Sequence, residues 1–167
     1  RNLTPEQLKV WNAAYEPKNK AFKEAILKGK DLVRWKYQRY VKDYLRCVAA
    51  VDDGVGRILE SLDELGLSEN SIVIYSSDQG FYLGEHGWYD KRWIYEESLK
   101  MPLVMRWPGK IKAGTLSKRL TAAYDYMPTF IEAISGTMPK GKDGLSLLPS
   151  LMGNADTHEK RYIIINN

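Results

Sequence analysis

Residues 71–80 read Ser-Ile-Val-Ile-Tyr-Ser-Ser-Asp-Gln-Gly, and residues 84–91 read Gly-Glu-His-Gly-Trp-Tyr-Asp-Lys. The continuous run of β-favouring residues within 71–77 predicts a buried strand. A second run at 103–107, stopped by Pro108-Gly109, predicts another strand. The polar, glycine-rich stretch between these strands is therefore expected to form a long loop.

A long helix is predicted before this segment, over residues 31–66. Gly66 is placed as its stop, and Gly54 and Gly56 predict a break or a close backbone approach near its middle. Its apolar residues recur at three- and four-residue steps, which builds one apolar face: Val41, Tyr44, Leu45, Val48, Val51, Val55, Ile58, Leu59, Leu62 and Leu65.

Two shorter helices are predicted nearer the N-terminus. Thr4, Pro5 and Gln7 have the pattern of a capped helix start, and this helix is expected to fade near Glu16-Pro17. A second helix is expected over 19–27, ending at Gly29.

Beyond the second strand, Asp125 is predicted to cap a helix that Gly136 closes, and 163–165 is a third candidate strand. Helices that alternate with continuous apolar strands predict the α/β class with a largely parallel sheet flanked by helices.

Size and charge exclude several function classes. A chain of 167 residues with 44% hydrophobic residues can form a domain with a core. The net charge is +4, but basic and acidic residues are interleaved, so we expect no nucleic-acid binding. No apolar run is long enough for a membrane span, and the single Cys47 cannot form an internal disulfide.

The chemistry is expected just after the first strand. Asp78 follows the strand end, where open parallel sheets place their ligands, and Asp78 with Gln79 offers two oxygen ligands suited to Ca²⁺ or Mg²⁺. Two ligands do not complete a calcium shell, so others must come from elsewhere. The loop can return Lys91 over the metal, where its ammonium suits an oxyanion.

Simpler interpretations exist for each feature. Asp-Gln-Gly is also common in turns, and a lone His86 is more often structural than a ligand. Asp52-Asp53 lies within a helical period, which favours a solvated or helix-packing role. The aromatic residues between Trp35 and Tyr44 favour packing over base stacking.

The same stretches carry a family resemblance. The run at 76–109 resembles the second signature region of the sulfatases, in the alkaline-phosphatase superfamily: SSDQGFYLGEHGWYDKRWIYEESLKMPLVMRWPG. Residues 39–67 resemble the helix that precedes it in that family. Residues 124–136 resemble the Asp-x-x-Pro-Thr helix, and residues 143–153 resemble the segment after it.

The resemblance implies roles for four residues in an alkaline-phosphatase-like fold. Asp78 and Gln79 would be metal ligands, although the family often has Asn or His at the second position. Lys91 would contact the transferring sulfate, and His86 would belong to a catalytic loop near the substrate. The implied cofactors are Ca²⁺, with Mg²⁺ as an alternative, and a formylglycine nucleophile made from Cys or Ser in a Cys/Ser-x-Pro-x-Arg motif.

That motif does not occur here, and Cys47, followed by Val-Ala-Ala-Val, is not the nucleophile. The chain is therefore expected to be part of a sulfatase catalytic domain, inactive alone and dependent on the rest of that domain. Its parts would be 1–30, a helical lead-in; 31–66, the long helix; 71–108, strand, metal and sulfate loop, strand; and 109–167, helix and final strand.

A sulfate ester, including a sulfated glycan, is the implied substrate. The resemblance alone suggests a periplasmic, secreted or lysosomal location. The alternatives are a phosphohydrolase or phosphonate hydrolase of the same superfamily, and a non-catalytic anion-binding module.

Overall fold

The computed structural model of the chain describes residues 2–141 and 143–154, so the strand predicted at 163–165 lies outside the described residues. The helices and strands, in chain order, are α1 (Pro5–Ala25), α2 (Gly29–Glu64), β1 (Val73–Ser76), α3 (Glu96–Leu99), β2 (Leu103–Arg106), α4 (Tyr126–Ser135) and α5 (Leu148–Leu151). Short 3₁₀ turns occur at Ser68–Asn70, Glu85–Gly87 and Ala123–Asp125. Internal contacts divide the chain into two compact units between Asp52 and Asp53.

Helix α1 begins as predicted but does not stop at Pro17. The Gln7 amide donates to Thr4 Oγ1 (3.3 Å), and the Thr4 amide donates to Gln7 Oε1 (3.0 Å). The expected end near Glu16-Pro17 is wrong, because α1 continues to Ala25. A proline inside a helix removes one backbone hydrogen bond and costs about 3 kcal/mol, so other contacts must offset it.

Those contacts come from α2 and lie on both sides of Pro17. Before it, the Arg39 guanidinium lies 5.1 Å from the centre of the Tyr15 ring. After it, Arg39 Nη2 donates to Asn19 Oδ1 (3.3 Å), and Phe22 stacks on Trp35 with ring centres 4.0 Å apart. Because both halves of α1 contact the same partner, the chain forms one helix where the sequence pattern predicted two.

Helix α2 confirms the predicted long helix and its stop. It runs unbroken through Gly54 and Gly56, so the expected break is absent. Gly66 has a φ of 66°, its amide donates to the Asp63 carbonyl (3.0 Å), and the Leu67 amide donates to the Leu62 carbonyl (2.9 Å). This pair of bonds is a Schellman motif, which satisfies the last carbonyls of the helix.

Strands β1 and β2 are both present, but they pair antiparallel, with Val73 opposite Arg106 and Ser76 opposite Leu103. This pair therefore differs from the predicted parallel arrangement. A parallel pair needs a crossover that carries the chain back to the starting edge, whereas residues 77–102 return directly to the end of β1. The strand is also not buried within the described residues, since Tyr75 is 45% exposed.

In the second unit, one group of buried side chains lies around α4 and α5. Leu147 and Leu148 are buried, and so are the polar side chains of Asp125 and Thr129. Gly136, with a φ of 71°, ends α4 as predicted. Across residues 2–141 and 143–154, no helix has both the length and the apolar character that crossing a bilayer requires.

Asp125 does not have the predicted capping role. Its side chain accepts no hydrogen bond from the first turn of α4. Instead Oδ2 accepts from the Ala122 amide (2.9 Å) and Oδ1 accepts from the Leu145 amide (2.9 Å). The carboxylate therefore joins two chain segments, a long-range contact that the local capping pattern does not reveal.

Candidate functional site

Asp78 lies just beyond the end of β1. It lies two residues beyond Ser76, the last residue of β1, and its side chain is exposed. Its nearest side-chain partner among the described residues is the Ser77 hydroxyl, at 3.5 Å from Oδ1. A carboxylate held so loosely keeps nearly all of its capacity to bind a cation.

The Gln79 amide is fixed at its nitrogen end. Nε2 donates to the Lys91 carbonyl oxygen (3.2 Å) and to the Ser98 carbonyl oxygen (2.9 Å). Because carbonyl oxygens only accept, the nitrogen must face them, and this settles the orientation of the amide. Over residues 2–141 and 143–154, Oε1 has no hydrogen bond.

Gly80 allows the loop to rest directly on α3. The Gly80 amide donates to the Ser98 carbonyl (3.0 Å), the same oxygen that accepts from Gln79. A Cβ at Gly80 would overlap the Glu97 carbonyl oxygen and would lie 2.9 Å from Ser98 Cα. Only glycine permits this backbone approach.

Tyr82 anchors the loop that carries Lys91. The residue is fully buried, its amide donates to the Asp90 carbonyl (2.8 Å), and its hydroxyl donates to the Trp93 carbonyl (2.5 Å). The Ser98 hydroxyl donates to the same Trp93 carbonyl. These bonds return the chain so that the Lys91 backbone lies beside Gln79.

Lys91 is exposed, and the ion pairs among the described residues do not include its ammonium group. Its amide donates to Asp90 Oδ1 (2.7 Å), while Asp90 Oδ2 accepts from Arg92 Nη1 (2.6 Å). The hydrogen bond from the Lys91 amide, together with the Arg92 guanidinium, lowers the pKa of Asp90. Asp90 is thus held by Arg92, which leaves the Lys91 ammonium available to an anion.

The imidazole of His86 is held in place by α3 and its cap. Its Nε2 lies 3.2 Å from Glu97 Oε2, and its ring stacks on Tyr95 with centres 4.4 Å apart. The residue has a φ of 56°, an uncommon conformation for a side chain with a Cβ. The neighbouring Glu85 Oε2 accepts from the Leu83 amide (2.6 Å), and backbone N–H groups lower the pKa of Glu85.

The structure joins the Gln79 side chain to the Lys91 backbone, with Asp78 next to Gln79 in the chain, and it holds His86 in the same loop. Cys47 and the Asp52-Asp53 pair lie instead on exposed positions of α2. Sequence reasoning missed Tyr82, Glu97 and Ser98, which hold the loop. Of these, only Glu97 carries a charge that pairs with a predicted residue.

The donor set fits a hard cation in part. The Asp78 carboxylate and Gln79 Oε1 are adjacent oxygen ligands of the kind that Ca²⁺ and Mg²⁺ prefer. No group of three or more His, Cys, Asp or Glu side chains that could hold a metal occurs in the part of the chain that the structure describes. A cation held here would need further ligands from elsewhere in the protein.

Comparisons with known proteins match the chain to sulfatases. Residues 84–164 match the family described as N-sulphoglucosamine sulphohydrolase, C-terminal. The chain is 45% identical over 157 residues to an N-acetylglucosamine-6-O-sulfatase of Bacteroides thetaiotaomicron, covering 94% of this chain and 28% of that protein.

Solved structures of related hydrolases also match the chain. One, described as a complex with its substrate D-glucosamine-2-N,6-O-disulfate, is 43% identical with a TM-score of 0.84 and covers 92% of this chain and 32% of that one. A phosphonate monoester hydrolase from Silicibacter pomeroyi is 32% identical with a TM-score of 0.60, covering 66% and 22%. The chain spans about a third or less of the length of these proteins.

Proposed function

The chain belongs to the sulfatase family, and we propose that the complete protein hydrolyses a sulfate ester of an amino sugar within a glycan. The observation that carries this proposal is the hydrogen bond from the Gln79 amide, next to Asp78 in the chain, to the Lys91 backbone carbonyl. The 6-O-sulfatase described in Bacteroides thetaiotaomicron and the amino-sugar disulfate in the similar solved structure support the substrate class.

Each residue has a proposed role. Asp78 and Gln79 Oε1 would bind the metal, and the Lys91 ammonium would contact the sulfuryl oxygens. Positive charge fixed in advance at that position stabilises the charge that develops in the transition state, without slow reorganisation of solvent. His86 would be a further catalytic residue near the substrate, with Glu97 fixing its imidazole.

The metal ion and the nucleophile would not be supplied by these four side chains. A bound Ca²⁺, or alternatively Mg²⁺, would supply Lewis acidity at the sulfuryl oxygens. The formylglycine nucleophile would lie in another part of the protein, as would the remaining metal ligands. We propose that the described residues form one part of a single catalytic domain whose sheet is largely parallel, and that they are inactive alone.

The function is tested by rates on matched substrates. We expect the complete protein to hydrolyse an N-acetylglucosamine 6-sulfate group faster than an aryl phosphate or a phosphonate monoester. Lys91→Ala should lower kcat/KM for the sulfate ester by about 100-fold, the effect of losing one preorganised charge. Lys100→Ala is the matched control, because Lys100 is an exposed lysine in the same segment.

Each alternative makes a different prediction. A phosphonate hydrolase, favoured by the similarity to the Silicibacter enzyme, would reverse the order of the rates. A non-catalytic anion-binding module would lack a nucleophile, and Lys91→Ala would then alter no measurable rate. Either result would overturn the sulfatase proposal.

A further inference from the structure

We propose that Gln79 is a positioning residue as well as a metal ligand, with its amide nitrogen holding Lys91 while its amide oxygen faces the cation. This rests on the proposed function, because it concerns the same metal and the same lysine. The new element is that one planar group, the Gln79 amide, links the metal to Lys91.

The Gln79 amide nitrogen contacts two distant segments of the chain. Nε2 bonds to carbonyl oxygens 12 and 19 residues further along the chain, at Lys91 and Ser98. Ser98 is 3% exposed and its carbonyl oxygen also accepts from the Gly80 amide, so one of the two anchors is rigid. The bond to the Lys91 carbonyl therefore locates the backbone of the lysine relative to α3.

The Gln79 amide is planar, so the direction of its nitrogen also fixes the direction of its oxygen. With both hydrogens directed at carbonyl oxygens, Oε1 points away from them and has no hydrogen bond over residues 2–141 and 143–154. A cation on Oε1 would draw electron density from the nitrogen, and hydrogen bonds in such chains strengthen one another. Metal binding would thus tighten the hold on Lys91, and by linkage an ordered loop would favour the metal.

Asn and His, which the family often has at this position, cannot bind a cation and also bond to both the Lys91 and the Ser98 carbonyls here. Asn has the same amide but is one methylene shorter. His has at most one donor beside a ligating nitrogen. A glutamate would keep the oxygen ligand but would turn a carboxylate oxygen toward two carbonyl oxygens, where it has no hydrogen to donate.

This last difference provides the test. In the complete protein, Gln79→Glu keeps a metal ligand and removes the donor, whereas Gln79→Met removes both. Ca²⁺ affinity is measured by calorimetry, and amide hydrogen exchange over residues 82–93 is measured with and without Ca²⁺. Gln38→Glu is the control for added charge, since Gln38 is exposed on α2.

We expect Gln79→Glu to bind Ca²⁺ at least as tightly as the parent, because ligand charge raises affinity. It should nevertheless exchange the amides at 82–93 faster, by about tenfold, the effect of losing one net hydrogen bond. Its kcat should fall by about 100-fold, as expected for a catalytic group moved by about 1 Å. Gln79→Met should lose both Ca²⁺ affinity and protection.

The outcomes separate this inference from the proposed function. If Gln79→Glu keeps the parent's protection at 82–93 and its kcat, the nitrogen has no positioning role and the inference fails. If the parent binds no Ca²⁺ and hydrolyses no sulfate ester, the proposed function fails. Loss of protection in Gln79→Glu would then still support the hold on Lys91.

Discussion

The loop at 77–98 and the region around Asp125 both join distant chain segments through polar side chains, but with opposite chemistry. In the loop, side-chain donors bond to backbone carbonyls: Gln79 Nε2 to Lys91 and Ser98, and the Tyr82 hydroxyl to Trp93. Around Asp125, side-chain oxygens accept from backbone amides. Both Asp125 oxygens do so, and Thr129 Oγ1 accepts from Leu147 (2.9 Å).

This difference indicates which oxygens are available to a ligand. Asp125 is fully buried and each of its oxygens already accepts a hydrogen bond, so it serves the fold. When a donor does the joining, the acceptor atom of the same group stays available, as at Gln79 Oε1; the neighbouring Asp78 carboxylate joins no segments and is exposed. Asp78 and Asp125 carry the same side chain, but Asp125 serves the fold, whereas we expect Asp78 to serve ligand binding.

The largest expected effect is on the activity of the complete protein. If Asp78 has the proposed role, Asp78→Ala should lower kcat/KM for a sulfate ester by about 1,000-fold, because the proposed metal ligand and its charge are lost together. The free energy of unfolding without metal should change by no more than about 0.5 kcal/mol, as is usual at an exposed site. Rates and urea unfolding in a chelator give the two values. Full activity in this variant would remove Asp78 from the site.

The opposite pattern is expected at Asp125. Asp125→Ala leaves the Ala122 and Leu145 amides without their carboxylate partner, so the free energy of unfolding should fall by about 3 kcal/mol. Asp125→Asn keeps oxygen acceptance at one position only and should lie between the parent and the alanine variant. Urea unfolding of the complete protein measures all three. An unchanged midpoint for the alanine variant would contradict the structural role.

Gly80→Ala tests the contact between the loop and α3. The added methyl group would overlap the Glu97 carbonyl, so the loop must shift at a cost of about 1–3 kcal/mol. Because the shift displaces the Ser98 anchor, kcat should fall along with stability. Gly87→Ala is a useful contrast, since no atom lies within 4 Å of a Cβ there, although its φ of 76° still strains alanine. Equal loss of kcat in both variants would argue against the contact.

The smallest effect is a pH dependence at Glu85, an exposed acceptor of a backbone N–H. The hydrogen bonds from backbone amides, its own and that of Leu83, lower its pKa. A lowered pKa in the folded state means that the stabilisation is present above the unfolded value of about 4.3 and is lost as pH falls through the folded pKa. The Leu83 amide chemical shift should therefore titrate with a midpoint below 4.3, and Glu85→Gln should abolish the step. A midpoint above 4.3 would refute this account.

The sequence predicted the elements whose cause is local. Gly66 and Gly136 end their helices because both adopt the left-handed conformation that glycine tolerates, and the Thr4–Gln7 cap is equally local. Pro17 was misread because α2 contacts on both sides of it outweigh its local penalty. The strand direction was missed because apolar runs carry no information on pairing.

Sequence patterns proposed the candidate site residues but gave no sign of the residues that support them. Motif resemblance pointed to Asp78, Gln79, His86 and Lys91, whose residue types match the chemistry. Glu97 and Ser98 act mainly through position, and the Ser98 contribution to Gln79 comes from a backbone carbonyl that any residue carries. Such a contact leaves no trace in side-chain identity.

The register of β1 and β2 has a consequence for how this family could diversify. Because Ser76 pairs with Leu103, the chain leaves and re-enters the sheet at neighbouring points, about 5 Å apart in an antiparallel pair. Residues 77–102, the segment between the two strands, therefore have both ends fixed to the same strand pair and form one exchangeable unit. Exchange of the whole segment between homologues would carry the two proposed metal ligands, Lys91 and their supporting residues in one recombination event, without moving a strand.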